Sequence, residues 1–275
     1  MRQSTHVRKG AIAAGMGSAA LLVTAWAAVS SAADGPARPG LLPDETGRTT
    51  ISSFRTLESG MPPPVFRLQA IVARAWEDSI NTWKRLIATR AQEVGAVNLR
   101  FVSKLNPTNC YGLYAGEGPA YCSGNQTVFV GTREANRLMA RFGAHGEAGI
   151  TFLIGHEVGH HIQNINGRFL YLSHRLTHAP HQRADLIRRF ELQADCLAGV
   201  WVSASEAWSN SEGFRKQMLG VLKSVGDESL LEGVPAAKLS KVGVHGTSDQ
   251  RIHWFTVGVE NGSPDACNTF AVAQP

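Results

Sequence analysis

Residues 150–164 read ITFLIGHEVGHHIQN, a largely apolar run that contains two histidines four positions apart, His156 and His160. The run is long enough for a helix, in which residues i and i+4 lie one above the other on the same face. Two neutral imidazoles on adjacent turns form a ligand pair that suits zinc. Glu157 lies about 100° around the helix from His156. Its carboxylate can therefore lie beside the metal as a general base without binding it.

A third ligand must come from a second element, because a hydrolytic zinc site takes three protein ligands and leaves a fourth position for water. Residues 183–208 contain no proline and only one glycine, and their apolar residues recur at helical spacing. Glu191 and Asp195 lie on one stripe of this predicted helix. We interpret Glu191 as the third ligand and Asp195 as the acceptor that fixes the tautomer of a ligating imidazole. The alternative is a solvated acidic face, but the pair lies among Leu, Ala and Cys residues.

A third segment, residues 244–251, reads VHGTSDQR and begins a last predicted helix with Thr247 or Ser248 as its N-cap. His245 could reach back over the metal and stabilise the oxyanion of a tetrahedral intermediate. The alternative is a histidine that only packs or caps. Arg251 is either a second cation in the site or the ion-pair partner of a helix carboxylate, and we favour the ion pair.

Together these segments resemble zincin peptidases of the gluzincin type and, more closely, the bacterial putative neutral zinc metallopeptidase family, over about residues 62–270. The matching blocks are GHEVGHHIQ at 155–163, ELQADCLAGVW at 191–201, HGTSDQR at 245–251 followed by Trp254-Phe255, and DACNTF at 265–270. The resemblance implies a zinc metallopeptidase with one Zn²⁺ on His156, His160 and Glu191 and with Glu157 as base; we expect an endopeptidase. It does not imply a particular substrate.

The expected fold is α+β, a mainly helical zincin-like domain over residues 61–275 with a small antiparallel or mixed sheet. A hydrophobic content of 43% in 275 residues is enough for an ordinary core. A long amphipathic helix is expected after Pro64, with an apolar stripe that runs to Val94 and tryptophans that belong to the core. Helices are also expected at 132–142 and 212–225, with a short turn at 226–231.

Residues 97–102 and 126–130 are predicted strands that flank a glycine-rich loop. In zincins a sheet lies over the active-site helix, and its edge strand pairs with the substrate backbone. By that analogy we expect residues 126–130 to form the edge strand.

Residues 1–33 have the features of a secretory signal peptide. Three cations precede an uncharged, alanine-rich stretch from about residue 10, and small residues end it at Ser31-Ala32-Ala33. The alternative is an uncleaved membrane anchor over residues 10–33. Residues 34–60 are rich in Pro, Gly, Thr and Ser and are expected to be a flexible linker. In either case the catalytic part is expected to be secreted or extracytoplasmic.

The charge balance does not indicate a nucleic-acid-binding protein. Three of the cations behind the formal net charge of +5 lie in the leader, which contains no acid, so the remainder carries +2. No basic stripe with interleaved aromatic residues is present, and the expected partner is a peptide or protein substrate.

Four cysteines in an exported chain predict two disulfides, with three possible connectivities. Cys110 and Cys122 flank one loop, which favours their pairing and leaves Cys196 to join Cys267. Zinc binding by these sulfurs is a weak alternative, because none has Cys-x-x-Cys spacing.

Three further histidines, His174, His178 and His181, lie within residues 169–182. A second metal site is conceivable there, but no carboxylate accompanies them before Asp185. A mobile histidine-bearing loop near the cleft is the favoured interpretation.

Three functions fit these residues. The first is peptide-bond hydrolysis by metal-activated water, with Glu157 as general base. The second is a zinc-stabilised extracellular binding module with little turnover, which would need no base at that position. The third is a zinc hydrolase of non-peptide amides, which shares its chemistry with the first.

Overall fold

The structure is a computed structural model that describes residues 63–88, 93–105, 118–235, 238 and 241–275. The predicted signal peptide at 1–33 and linker at 34–60 lie outside the described residues. Within the described ranges, no helix is long and apolar enough to span a bilayer.

The fold is mainly helical with one small mixed sheet, which confirms the α+β prediction. The strands are β1 (Asn98–Val102), β2 (Ala120–Cys122) and β3 (Thr127–Gly131). The helices are α1 (Pro63–Ala88), α2 (Thr132–Arg141), α3 (Gly146–Ile165), α4 (Arg168–His178), α5 (Arg183–Ala204), α6 (Glu212–Ser224), α7 (Asp227–Leu230) and α8 (Ser248–Asn261). Short 3-10 turns precede α3 and α5 and follow α8.

Helix α1 forms because its apolar residues recur at three- and four-residue steps and can be buried together on one stripe. Leu68, Val72 and Trp83 are fully buried in the main core, and α1 packs along α3. The core role of the tryptophans is confirmed. The predicted stripe was too long, however, because α1 ends at Ala88 and Val94 lies in a segment without regular secondary structure.

The sheet has the strand order β1-β3-β2, with β1 parallel and β2 antiparallel to β3. The prediction that residues 126–130 form the edge strand was wrong. Strand β3 is central, hydrogen-bonded on both sides, and every one of its residues is buried. A central strand has no free backbone edge. The edge nearest α3 is β2, a strand that the sequence analysis missed.

Helices α3, α5 and α8 form the centre of the molecule. The two backbones of α5 and α8 touch where Gly199 and Gly258 face each other, because a β-carbon on Gly199 would overlap the Phe255 carbonyl and one on Gly258 would overlap the Cys196 carbonyl. Glycine at both positions permits this close crossing. This contact fixes the position of α8 along the axis of α5.

The histidine-bearing segment is not a mobile loop, as the sequence analysis favoured, but the helix α4. Its residue Leu172 packs with Leu186 and Phe190 of α5, and Phe169 and Leu176 flank that cluster. Apolar residues at these helical steps can be buried only if the segment is helical. Gly167, with a φ of +70°, turns the chain from α3 into α4.

The C-terminal segment crosses α5 and is fastened to it. The predicted disulfide between Cys196 and Cys267 is present, with their Cα atoms 5.6 Å apart. Cys122 is buried and disulfide-bonded. Its predicted partner Cys110 lies outside the described residues.

Candidate metal centre

The two histidines of α3 face the same side of the helix, as their spacing predicts. Their ring centroids are 4.6 Å apart, and both side chains are buried. Helix α5 crosses this face and brings Glu191 opposite them. The Oε2 atom of Glu191 lies 3.2 Å from Nε2 of His156 and 3.4 Å from Nε2 of His160.

One nitrogen from each histidine and one carboxylate oxygen therefore converge, all within 4.8 Å of one another. In the ranges that the structure covers, this is the one group of three or more His, Cys, Asp or Glu side chains with such geometry. Two imidazole nitrogens and a carboxylate oxygen are ligands typical of zinc, whereas calcium and magnesium prefer oxygen ligands alone. The residues present thus fit a zinc ion.

The charges at this point also favour a cation. Burial opposes protonation of His156, but its hydrogen bonds to Asp195 and Glu191 outweigh burial and raise its pKa to about 10. Burial opposes ionisation of Glu191 as well, yet the two histidines hold its pKa well below the ordinary value. The convergence point is therefore next to a carboxylate that attracts positive charge.

Asp195 lies behind the first histidine. Its Oδ1 is 2.8 Å from Nδ1 of His156, and both of its oxygens accept hydrogen bonds from Arg251 on α8, at 2.8 and 2.9 Å. Asp195 is fully buried and Glu191 largely buried, so the alternative of a solvated acidic face is wrong. The interpretation of Arg251 as an ion-pair partner is confirmed.

Gln163 lies behind the second histidine, which the sequence analysis did not foresee. Its Oε1 is 2.7 Å from Nδ1 of His160. The signal was present in the sequence, because Gln163 follows His160 by three positions and so lies on the same helix face. Each histidine thus directs one nitrogen toward Glu191 and the other toward an oxygen acceptor.

Glu157 lies beside the convergence point and is held by the sheet. Its Oε2 accepts a 2.6 Å hydrogen bond from the backbone N–H of Tyr121 on β2. Burial, the largest influence, raises the pKa of Glu157, while the two histidines and this N–H act in the opposite direction. A raised pKa lies closer to neutral pH, and a pKa near the working pH suits a general base.

The ring of Tyr121 is held as firmly as its backbone. Its hydroxyl accepts a hydrogen bond from Asn164 and therefore donates its own proton to Nδ1 of His161, each at 2.9 Å. His161 in turn donates from Nε2 to the Val94 carbonyl at 2.7 Å. Burial lowers the pKa of His161 and raises that of Tyr121 to about 12, so both groups are neutral near pH 7.

His245 lies just before α8, whose N-cap is Thr247 in a capping box with Gln250. Asp227 holds this turn by accepting from the backbone N–H groups of His245 and Gly246. The His245 ring is partly exposed, with Nδ1 3.6 Å from Asp227. The backbone is therefore fixed, and a role for this ring in stabilising an oxyanion stays a prediction.

Among the residues that the structure describes, His174, His178 and His181 form no second metal-binding group. The rings of His174 and His178 stack with centroids 4.0 Å apart on the exposed side of the helix. Their proximity follows from their i, i+4 spacing alone. The helix instead contributes Phe169, whose ring packs against those of His160 and Phe190 beside the metal centre.

Comparison with known proteins identifies bacterial relatives of this chain. The protein YpfJ of Escherichia coli strain K12 is 29% identical over 208 residues, which cover 74% of this chain and 71% of YpfJ. The proteins Mb2605 of Mycobacterium bovis and Rv2575 of Mycobacterium tuberculosis are each 31% identical over 188 residues, covering 64% of this chain and 63% of theirs. All three are described as uncharacterized, so they supply no substrate. No solved structure matches significantly.

The sequence profile of one family, described as "Putative neutral zinc metallopeptidase", matches residues 66–270. That range contains every residue of the metal centre described above. The chain belongs to the putative neutral zinc metallopeptidase family.

Proposed function

We propose that this protein is a zinc-dependent peptidase that hydrolyses peptide bonds with Glu157 as general base. The observation that carries the proposal is the convergence of His156, His160 and Glu191 within 4.8 Å, with the Glu157 carboxylate held beside them by Tyr121. A site that only bound zinc would need the three ligands but no fourth, separately positioned carboxylate.

His156, His160 and Glu191 would hold the ion. When bound, zinc would lower the pKa of a coordinated water toward neutrality and polarise the substrate carbonyl. Glu157 takes the proton from the attacking water and delivers it to the leaving amine. Its hydrogen bond to Tyr121 uses only Oε2, which leaves Oε1 for the water.

Strand β2 replaces residues 126–130 as the proposed docking edge for an extended substrate. The support is its position, because β2 is an edge strand and one of its residues contacts the general base. An extended peptide can add to such an edge through backbone hydrogen bonds. The substrate would then lie across the metal centre.

We further propose that the protein acts outside the cytoplasm. The support is the leader-like sequence of residues 1–33 together with the Cys196–Cys267 disulfide. Disulfides persist mainly in oxidising compartments. The expected partners are peptides or proteins in such a compartment.

The decisive experiment is cleavage of a random peptide library by the zinc-loaded protein, with and without a chelator. The matched control is Glu157→Gln, which removes the base and no ligand. We expect the variant to keep its zinc and its fold while turnover falls by roughly 10²- to 10⁴-fold. Loss of zinc in Glu157→Gln would show instead that Glu157 is a ligand.

The same experiment separates the alternatives. Stoichiometric zinc without cleavage of any peptide would indicate a binding module. Chelator-sensitive hydrolysis of small non-peptide amides, without peptide cleavage, would indicate the third function.

A further inference from the structure

A continuous chain of hydrogen bonds leads from His160 to the C-terminal segment. Oε1 of Gln163 lies 2.7 Å from Nδ1 of His160, and Nε2 of Gln163 donates to Oε1 of Gln193 at 3.0 Å. Nε2 of Gln193 then donates to the carbonyl oxygen of Cys267 at 2.7 Å. We call Gln163 and Gln193, with this carbonyl, the glutamine relay.

The chemistry of its ends fixes the direction of every bond in the relay. A backbone carbonyl can only accept, so Gln193 must present its NH₂ group to Cys267 and its oxygen to Gln163. Gln163 likewise must present its NH₂ group to the Phe190 carbonyl, 2.8 Å away, as well as to Gln193. Its oxygen therefore faces His160, whose Nδ1 must carry the proton. Nε2 of His160, which faces Glu191, is thereby the nitrogen left to bind a metal ion.

The burial of the two glutamines gives the relay its rigidity. Gln163 is 1% exposed and Gln193 is 6% exposed. Burying an amide without hydrogen bonds costs free energy, and here the oxygen and nitrogen of both side chains are bonded. Rotation of either amide would leave buried polar atoms without partners.

The far end of the relay is fastened to α5. Cys267 is bonded through sulfur to Cys196, next to Asp195 on that helix. Two residues on, Thr269 donates from Oγ1 to the Arg189 carbonyl at 2.6 Å, and Arg189 donates to the Thr269 carbonyl at 2.7 Å. The acceptor that ends the relay is thus fixed relative to the helix that carries Glu191.

We propose that Gln163 and Gln193 are positioning residues for the metal ligand His160, and that the disulfide-fastened C-terminal segment is for that reason part of the metal centre. The inference rests on the proposed zinc site. Opening the disulfide releases the Cys267 carbonyl, lets the two amides reorient, and weakens the zinc affinity of the folded protein.

The first test measures zinc affinity by competition with a chelator for Gln163→Met, Gln193→Met and the double variant. Methionine keeps the length of the side chain and removes its hydrogen bonds. We expect Gln163→Met to weaken zinc binding by about 10- to 100-fold, as loss of a ligand's hydrogen-bond partner does. Gln193→Met should have a smaller effect, and the double variant should be no weaker than Gln163→Met because the two act in series.

Two control variants separate this effect from general damage. Gln217→Met makes the same chemical change on α6, and Met218→Ala destabilises the core through a fully buried side chain of that helix. Both should keep the wild-type zinc affinity. Weakening by either control to the level of Gln163→Met would overturn the proposal.

The second test opens the disulfide by the double change Cys196→Ala, Cys267→Ala in the full chain. Zinc affinity, referred to the folded fraction seen by circular dichroism, should fall several-fold in the wild-type background. It should not fall further in the Gln163→Met background. Equal losses in both backgrounds, or none in the wild type, would show that the C-terminal segment does not act through the relay.

A spectroscopic measurement supplies a third, independent readout. In zinc-loaded protein with ¹⁵N-labelled histidine, the Nδ1–H signals of His156 and His160 should both be protected from exchange. Gln163→Met should remove that of His160 alone. Failure of wild-type protein to bind zinc would refute the proposed site, whereas normal zinc binding and peptide cleavage with unchanged variants would refute only the relay.

Discussion

The metal centre has two walls that are built from different interactions. The helical wall, from α3, α5 and α8, contains the buried charges Asp195 and Arg251 behind the ligand His156. The sheet wall is β2, where Tyr121 offers a backbone N–H to Glu157 and a neutral hydroxyl to α3. Ionic partners thus hold a ligand, whereas neutral partners hold the base.

The difference has an energetic meaning. A buried charge that loses its partner is strongly destabilising, while loss of one neutral hydrogen bond is milder. Changes in the helical wall should therefore affect metal content and stability, and changes in the sheet wall should affect turnover with the metal retained. The predictions below test this contrast.

The largest effect is expected for Glu191→Ala in the helical wall. Zinc affinity should fall by more than the roughly 10- to 100-fold that is typical of changes behind a ligand, because a ligand itself is removed. Metal analysis after dialysis against a weak chelator measures the loss. Retention of zinc by Glu191→Ala, together with its loss in Asp195→Ala, would exchange the roles of the two carboxylates.

His245→Ala tests whether the ring of His245, in the turn before α8, takes part in the reaction. If the ring stabilises the oxyanion, kcat should fall by roughly 10²- to 10³-fold with KM and zinc content little changed. Steady-state kinetics on a cleaved peptide measure this. A variant with lower stability but unchanged kcat per folded molecule would make His245 a packing residue beside Asp227.

Asp195→Ala should weaken zinc binding by about 10- to 100-fold. It should also destabilise the fold by about 3–5 kcal/mol, because it leaves Arg251 charged and buried without its partner. Zinc competition and denaturant unfolding measure the two losses separately. Adding Arg251→Met should restore part of the stability and none of the zinc affinity; full additivity of the stability losses would contradict a buried pair.

Tyr121→Phe in the sheet wall should have the smallest effect. The zinc content should not change, and kcat should fall by about tenfold, less than the 10²-fold cost of a 1 Å misplacement. The residual effect arises because the ring without its hydroxyl no longer bonds Asn164 and His161, so the backbone N–H that donates to Glu157 is held less firmly. A loss of zinc in this variant would contradict the expectation that changes in the sheet wall leave metal binding intact.

The same variant has a signature in the pH dependence of stability. Because the pKa of Tyr121 is raised to about 12 from 10.0, the folded state holds this proton more tightly than the unfolded state. The contribution is fully present below pH 10 and is lost as the pH rises to 12. Unfolding of wild type and Tyr121→Phe across this range should show a larger loss of stability in the wild type, because other tyrosines and lysines titrate in both proteins.

The helical wall was largely predictable from the sequence. The spacing of His156, His160, Glu191 and Asp195 places each side chain on a definite helix face, and Thr247 is one of the two residues expected as the N-cap of α8. Helical periodicity is a local property, so it is visible without knowledge of the fold. The sequence favoured an ion pair between Arg251 and a helix carboxylate, and the structure identifies that carboxylate as Asp195.

The sheet wall was not predictable, because strand pairing depends on residues that are distant in the sequence. Strand β2 has only three residues, and Tyr121 contributes a backbone N–H, which every residue except proline has. The central position of β3 depends on that missed strand. Helix α4 has apolar residues at helical spacing, Phe169, Leu172 and Leu176, but its two histidines and His181 beyond it favoured a loop. The glutamine relay was missed because its end point, the Cys267 carbonyl, is set by a long-range disulfide.

The crossing of α5 and α8 at Gly199 and Gly258 has a consequence for mutational scans. The crossing lies one helical turn from Asp195 and two turns from Arg251, and it fixes the alignment of the two helices. An added methyl group at either glycine forces the backbones apart and carries the guanidinium away from its carboxylate. A scan for loss of zinc would therefore identify two residues that have no side chain and never approach the metal.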